Sequence, residues 1–412
     1  MSYRDLATRP VLTWALVAVG ARAPVAMAPL GVVFMVRDRP GGYTLGAVLA
    51  AVYVLGEIVG APLLGMRMRA ERARPHLALG LAGGAVGFAA LGLAHDAHPV
   101  VLGAAAFVAG AAPAATSGGL RAMLAAMVPE KAVQQAVSAE SMLIFGIWSV
   151  TPAVTTWLAL SVRPYLPMLL AAGLMAAAVA GLWALPPGWR ADTADRGGEP
   201  MRRVLWRAWP VYVTGAAGIS LLALAELVLP ALLEQRGIAL GWAGPLLAGF
   251  SAGSAAGAFV YGLRSWPGAL RAQSLVLLLA VSGCVALVAL VPGAVWLAGL
   301  LVLAGVLQAG AMLTRNMLLR EVLPPSALAA GYSVMYAAVG AGYALTGTLS
   351  GVLLRSVAPS TAILAGVGLT LLLTVVGVLR EPERDRSAGD GVASGRAEGA
   401  PVDGRRDPER SL

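Results

Sequence analysis

Few residues in this chain have the side chains and the setting to do chemistry. Arg22, Glu57, Glu140 and Glu226 fall within or at the edge of long apolar runs. A charge inside a bilayer is costly and ordinarily faces a partner or a wet cavity. Arg22 lies about eleven residues into its run, roughly 16 Å deep at helical rise, and Glu57 about eight residues from the end of its own, roughly 12 Å deep. Those depths agree within a helical turn, so an Arg22–Glu57 pair is geometrically allowed. It has two readings: a fixed structural ion pair, or a carboxylate whose protonation depends on whether Arg22 is engaged by a solute, which would couple transport to protons. Glu226, late in the run 208–232, reads as an outer gate, a second protonation site or a snorkelling acid. For Glu140, at the start of the run 138–160, a helix dipole at an N-terminus is a sufficient explanation. Arg121 and Arg315 end the runs 99–120 and 294–314; topology accounts for both, although Arg121 could also pin an inner gate. Ser333, Tyr336, Tyr343, Thr346 and Thr348 share one run, where they line a pathway or bond to neighbouring helices.

Other chemistries lack their residues. His95 and His98 share a short polar link and make a poor metal site, so no metal is expected. Cys284 is the lone cysteine, which excludes an intramolecular disulfide and a cysteine cluster. There is no Walker motif, phosphate loop or nucleophile elbow, and no nucleophile–base pair at helical spacing. Neither an enzyme nor an ATP-driven machine is expected, and no cofactor.

The elements that must position these residues follow from composition. Apolar residues make up 58% of the chain and charged ones 12%, too little polar surface to cover a water-soluble fold. Twelve apolar stretches are long enough to cross a bilayer as helices: 11–36, 43–65, 76–95, 99–120, 138–160, 164–185, 208–232, 241–262, 272–291, 294–314, 329–353 and 360–379. They are continuously apolar rather than alternating, which excludes a barrel. Arg22 interrupts the first run and eleven more follow, so it reads as a retained helix, not a signal peptide. The expectation is an all-α polytopic membrane protein with twelve transmembrane helices in two six-helix pseudo-repeat halves.

The duplication is visible in small residues. Gly56, Gly60, Ala61, Gly65 and Arg67 return 197 residues later as Gly253, Gly257, Ala258, Gly262 and Arg264. A second echo, offset by 195, pairs Pro129, Ala132, Val133, Ala136 and Ser138 with Pro324, Ala327, Leu328, Gly331 and Ser333. At 100° per residue, Gly56 and Gly60 share one side of span 2, while Ala61 and Gly65 fall nearly opposite. A helix thin on two faces is squeezed between two neighbours, so these glycines read as packing positions, not ligands. Glu57 falls between the two thin faces. The copies disagree there, since span 8 has Ser254.

The net charge of +9 could suggest nucleic acid, but arginine position explains it better. With the N-terminus inside, the inner segments before the tail carry 17 basic residues and the outer links five. Both termini are therefore expected in the cytoplasm, with the protein in the cell membrane. The domain reading is a first half at 1–186, a polar arginine-rich link at 187–207, a second half at 208–380 and a solvated tail at 381–412, too polar to fold alone.

Twelve spans in two parallel halves with a basic central link resemble the major facilitator superfamily over about residues 10–380. Individual segments are similar to its actinobacterial exporters: Arg22-Ala23-Pro24 through Met27-Ala28-Pro29-Leu30, Gly60-Ala61-Pro62-Leu63-Leu64-Gly65, Ala225-Glu226-Leu227-Val228-Leu229-Pro230, and Tyr261-Gly262-Leu263-Arg264. The chain departs from the family after span 2, where Arg69 stands at the usual acidic position, and in span 5, where Thr151-Pro152 stands in for a glycine-proline element. The resemblance implies secondary active transport by alternating access. The expected function is proton-coupled export of a small organic molecule by a monomer, with the lipid bilayer, a solute and protons as partners. Uptake of an anionic solute on Arg22, and a non-transporting sensor or scaffold, are the alternatives.

Overall fold

The structure, a computed structural model, describes residues 8–187, 198–264 and 266–380. The tail read at 381–412 and residues 188–197 of the link lie outside the described residues. Among the described residues, eleven helical stretches are long and apolar enough to cross a membrane, and Leu166–Leu182 supplies a shorter twelfth.

The first half comprises α1 (Arg9–Val36), α2 (Gly42–Arg67), α3 (Ala73–Leu93), α4 (Pro99–Ala111), α5 (Thr116–Met127), α6 (Val133–Ser161) and α7 (Leu166–Leu182). A short amphipathic α8 (Met201–Arg207) follows in the link. The second half holds α9 (Trp209–Leu227), α10 (Leu229–Gln235), α11 (Ala243–Leu263), α12 (Leu270–Leu290), α13 (Ala294–Val322), α14 (Leu328–Leu353) and α15 (Pro359–Arg380). Proline opens several of these, at a position whose N–H would be unpaired in any case. Two spans are broken. Span 4 divides into α4 and α5 at residues 112–115, around Pro113, and span 7 into α9 and α10 at Val228, just before Pro230.

Three helices outrun the apolar stretches that predict them. Span 4 continues to Met127, span 10 to Val322, and span 5 begins at Val133. The apolar runs stop at Arg121, at Arg315 and before Ser138, but these residues are buried within the bundle and do not mark helix ends. Large apolar side chains such as Leu16, Leu79 and Val295 face outward, as expected where the solvent is lipid.

The glycine echo is one interface made twice. A Cβ on Gly56 or Gly60 would fall on the carbonyl oxygen of Phe107 or Ala111, so α2 lies backbone to backbone on α4. A Cβ on Gly253 or Gly257 would likewise fall on the carbonyls of Val302 and Val306. The approach is reciprocal: Gly110 abuts the Tyr53 carbonyl, and Gly305 that of Phe250. The opposite face of α2 brings Gly65 against Ser333 of α14, where Gly118 of α5 also arrives. Gly262 is buried in α11, which packs against α6. The halves therefore meet tightly at the end of the bundle that holds the arginine-rich links.

Candidate functional site

Arg22 sits near the middle of α1, which packs against α6 and α7. Its guanidinium is buried and forms an ion pair with Glu140 of α6. It also donates to the Ser117 carbonyl at 3.4 Å and lies 5.8 Å from the Trp14 ring centre. Trp14 is fixed in turn by its indole N–H, which donates to the Leu120 carbonyl at 2.8 Å. Glu140 is 1% exposed, and its second oxygen accepts from Arg121 Nε at 2.7 Å. Arg121 Nη1 then reaches across to the second half and donates to Asn316 Oδ1 at 2.6 Å. The Asn316 amide is oriented by its own Nδ2, which donates to the Met312 carbonyl at 2.9 Å. Tyr332 lies beneath Arg121, its ring centre 5.5 Å away. One carboxylate thus holds two arginines, and one of those arginines holds the other half.

Two sequence readings are corrected by this arrangement. Arg22 is paired with Glu140, not Glu57: depth along a helix fixes neither azimuth nor neighbour, and α1 turns Arg22 toward α6. Glu140 is not a helix-terminal acid, because α6 starts at Val133 and places it beyond the first turn, where the dipole effect has faded. Nor is Arg121 only a topological marker; it is buried with two side-chain partners. Arg315 is 1% exposed within α13.

Glu57 lies apart from the triad. Its carboxylate accepts from the Tyr53 hydroxyl, one turn back in α2, at 3.3 Å. Tyr336 of α14 stands within electrostatic reach of Glu57, Arg22 and Arg121, and beside Ser117. Glu226, at the end of α9 beside the break in span 7, accepts from Tyr343 of α14 at 3.0 Å. Among the described residues, neither Glu57 nor Glu226 forms an ion pair. Each is a mostly enclosed carboxylate whose bonded partner is a neutral phenol. That differs from Glu140, whose two oxygens are both taken by guanidinium groups.

Sequence reasoning missed Tyr53, Trp14 and Asn316. The signal for Asn316 was present: it lies 195 residues after Arg121, the offset of the second echo. Among the described residues no group of three His, Cys, Asp and Glu could hold a metal. His98 Nδ1 accepts from the Val100 N–H at 3.3 Å, and His95 stacks on Tyr165 with ring centres 4.4 Å apart.

Two six-helix halves built on one repeated interface, with charged side chains buried between them, define a polytopic helical membrane protein. Solved structures share this fold, one of them described as a Major Facilitator Superfamily transporter. It is similar to the human organic anion transporter MFSD10 (TETRAN), with 14% identity, 90% of this chain and 99% of that one covered, and a TM-score of 0.71. A bacterial homologue of the iron transporter ferroportin in an outward-facing state gives 14% identity, 90% and 97% coverage, and a TM-score of 0.72. The E. coli fucose:proton symporter FucP gives 13% identity, 91% and 100% coverage, and 0.70. No protein-family model matches the chain, and no curated protein matches it significantly.

Proposed function

We propose that this protein is a proton-coupled secondary transporter that exports a small organic molecule across the cell membrane by alternating access. It acts as a monomer with both termini in the cytoplasm. Its halves are 1–186 and 208–380, joined through 187–207. The observation that carries the reading is Glu57: a partly buried carboxylate that accepts from the Tyr53 hydroxyl and, among the described residues, forms no ion pair. Such a carboxylate can take up and release a proton without dismantling an ion pair. Glu140, held by Arg22 and Arg121, cannot. Glu226 with Tyr343 forms a second protonation or gating site nearer the outer side. The cross-half contacts of Ser333, Gln134 and Asn316 all lie at the arginine-rich end, which supports a form closed to the cytoplasm. Two similar structures, the ferroportin homologue and FucP, are described as outward-facing or outward.

A second reading, binding of an anionic solute, is favoured by one feature. Arg22 and Arg121 share a single carboxylate, and Arg22 Nε and Nη1 are buried without a hydrogen-bond partner. MFSD10, at 14% identity, is described as an organic anion transporter.

A thermal-shift screen of organic anions, cations and neutral solutes identifies what binds. Flux of that solute is then measured in proteoliposomes under an imposed pH gradient. Expected is gradient-driven flux that is lost in Glu57→Gln while the variant still folds. Equal loss of folded protein would mark Glu57 as structural. A screen without a stabilising solute would favour the sensor or scaffold reading.

A further inference from the structure

We propose that Asn316 is the positioning residue through which the second half holds Arg121 on Glu140, so that closing the arginine-rich end and orienting the charged triad are one event. This rests on the alternating-access reading above. The first observation is positional. Arg121 and Asn316 are 195 residues apart, the repeat offset of the neighbouring segments, and their side chains bond at 2.6 Å. Two equivalent positions of a duplicated bundle can touch only where the axis relating the halves passes between them. The bond therefore lies at the centre of the interface, where any parting of the halves at that end must stretch it.

The second observation is chemical. A single guanidinium serves both sides, with Nε on Glu140 and Nη1 on Asn316. Because the group is planar, fixing one edge fixes the direction of the other. The asparagine cannot present its NH2 to Arg121, since that would oppose donor to donor, and its Nδ2 is already engaged by the Met312 carbonyl. It is therefore a pure acceptor for the arginine. The third observation is steric. Ser333 of α14, next to Tyr332 in sequence, packs against Gly65 and Gly118 with no space for a methyl group, so the halves are tightly packed there. The Tyr332 hydroxyl, 3.5 Å from the Asn316 carbonyl, completes the surround. When the end opens, Arg121 loses Asn316 and keeps only Glu140, and is free to turn away from the orientation in which Glu140 bridges it to Arg22.

The test uses the purified full chain in a Cys284→Ala background, spin-labelled at cysteines replacing Arg72 and Arg264, exposed positions on the two halves at this end. Distances are measured by pulsed electron resonance with no solute and no pH gradient, so loss of proton coupling elsewhere does not affect the result. Expected is a dominant short distance in the parent protein. In Asn316→Leu the long-distance population rises by roughly tenfold or more, the scale of a lost hydrogen bond to a charged group. Asn316→Asp, which keeps an acceptor, retains the short distance. Arg121→Gln opens the end as Asn316→Leu does, and the double variant opens it no further, as two partners of one bond require. Should Asn316→Leu not fold, Asn316→Ala gives the same reading. An unchanged distance distribution in the folded Leu or Ala variant would overturn the proposal. So would opening by Asn316→Asp, or additive effects of the two single variants. A merely structural role would lower thermal stability and leave the distances alone.

Discussion

The α2–α4 and α11–α13 contacts have the same backbone and opposite chemistry. In both, glycines set one helix directly on the carbonyls of the other. At the positions that match by the 197-residue offset, the first half has Tyr53 and Glu57 and the second has Phe250 and Ser254. Ser254 is buried and bonds back to the Phe250 carbonyl at 3.0 Å, so its own helix satisfies it. Glu57 cannot be satisfied that way; a carboxylate accepts only and needs a donor, here the Tyr53 hydroxyl. Likewise Arg121 has Asn316 as its counterpart, and Glu140 has Met335. At these matched positions the second half keeps the framework without the charge. Packing is thus common to both halves, while at these matched positions the charged side chains belong to the first.

The comparison breaks most visibly at Glu140. Glu140→Gln leaves two buried arginines without their carboxylate, and a loss of about 3–5 kcal/mol is expected in detergent unfolding. A loss near zero would mean that the triad does not organise the first half. Gly60→Val and Gly257→Val press a side chain onto a backbone carbonyl in matching interfaces. Each should lose about 1–3 kcal/mol, and the two losses should be similar. A large disparity would mean that the repeat is not mechanically equal. Smaller still, Glu57→Gln should cost under about 1 kcal/mol, because an amide oxygen can still accept from Tyr53. Ser254→Ala removes only a hydroxyl bonded within its own helix. It should change stability by less than about 1 kcal/mol and leave flux intact, which unfolding and transport assays check together.

Much of the fold is legible in the sequence because bilayer helices announce themselves as apolar runs, and because helix contacts in lipid need small residues. The echo of Gly56 and Gly60 marks a packing face, although it does not say that the partner is α4 rather than another span. The charged site is less legible. The apolar runs end at Arg121 and Arg315, and so hide the turns that carry Asn316 and extend span 10. Arg22 and Glu57 share a depth, yet which neighbour each faces depends on how α1 lies between α6 and α7. Pairing needs azimuth and tertiary contact, and neither is written in hydropathy.

The most direct test of the division between Glu57 and Glu140 is the pH-difference infrared spectrum of the carboxyl C=O stretch in the reconstituted protein. Expected is a band that appears and disappears reversibly across the physiological pH range, is lost in Glu57→Gln and persists in Glu226→Gln. Persistence of the full band in Glu57→Gln would contradict the assignment of the coupling proton to Glu57.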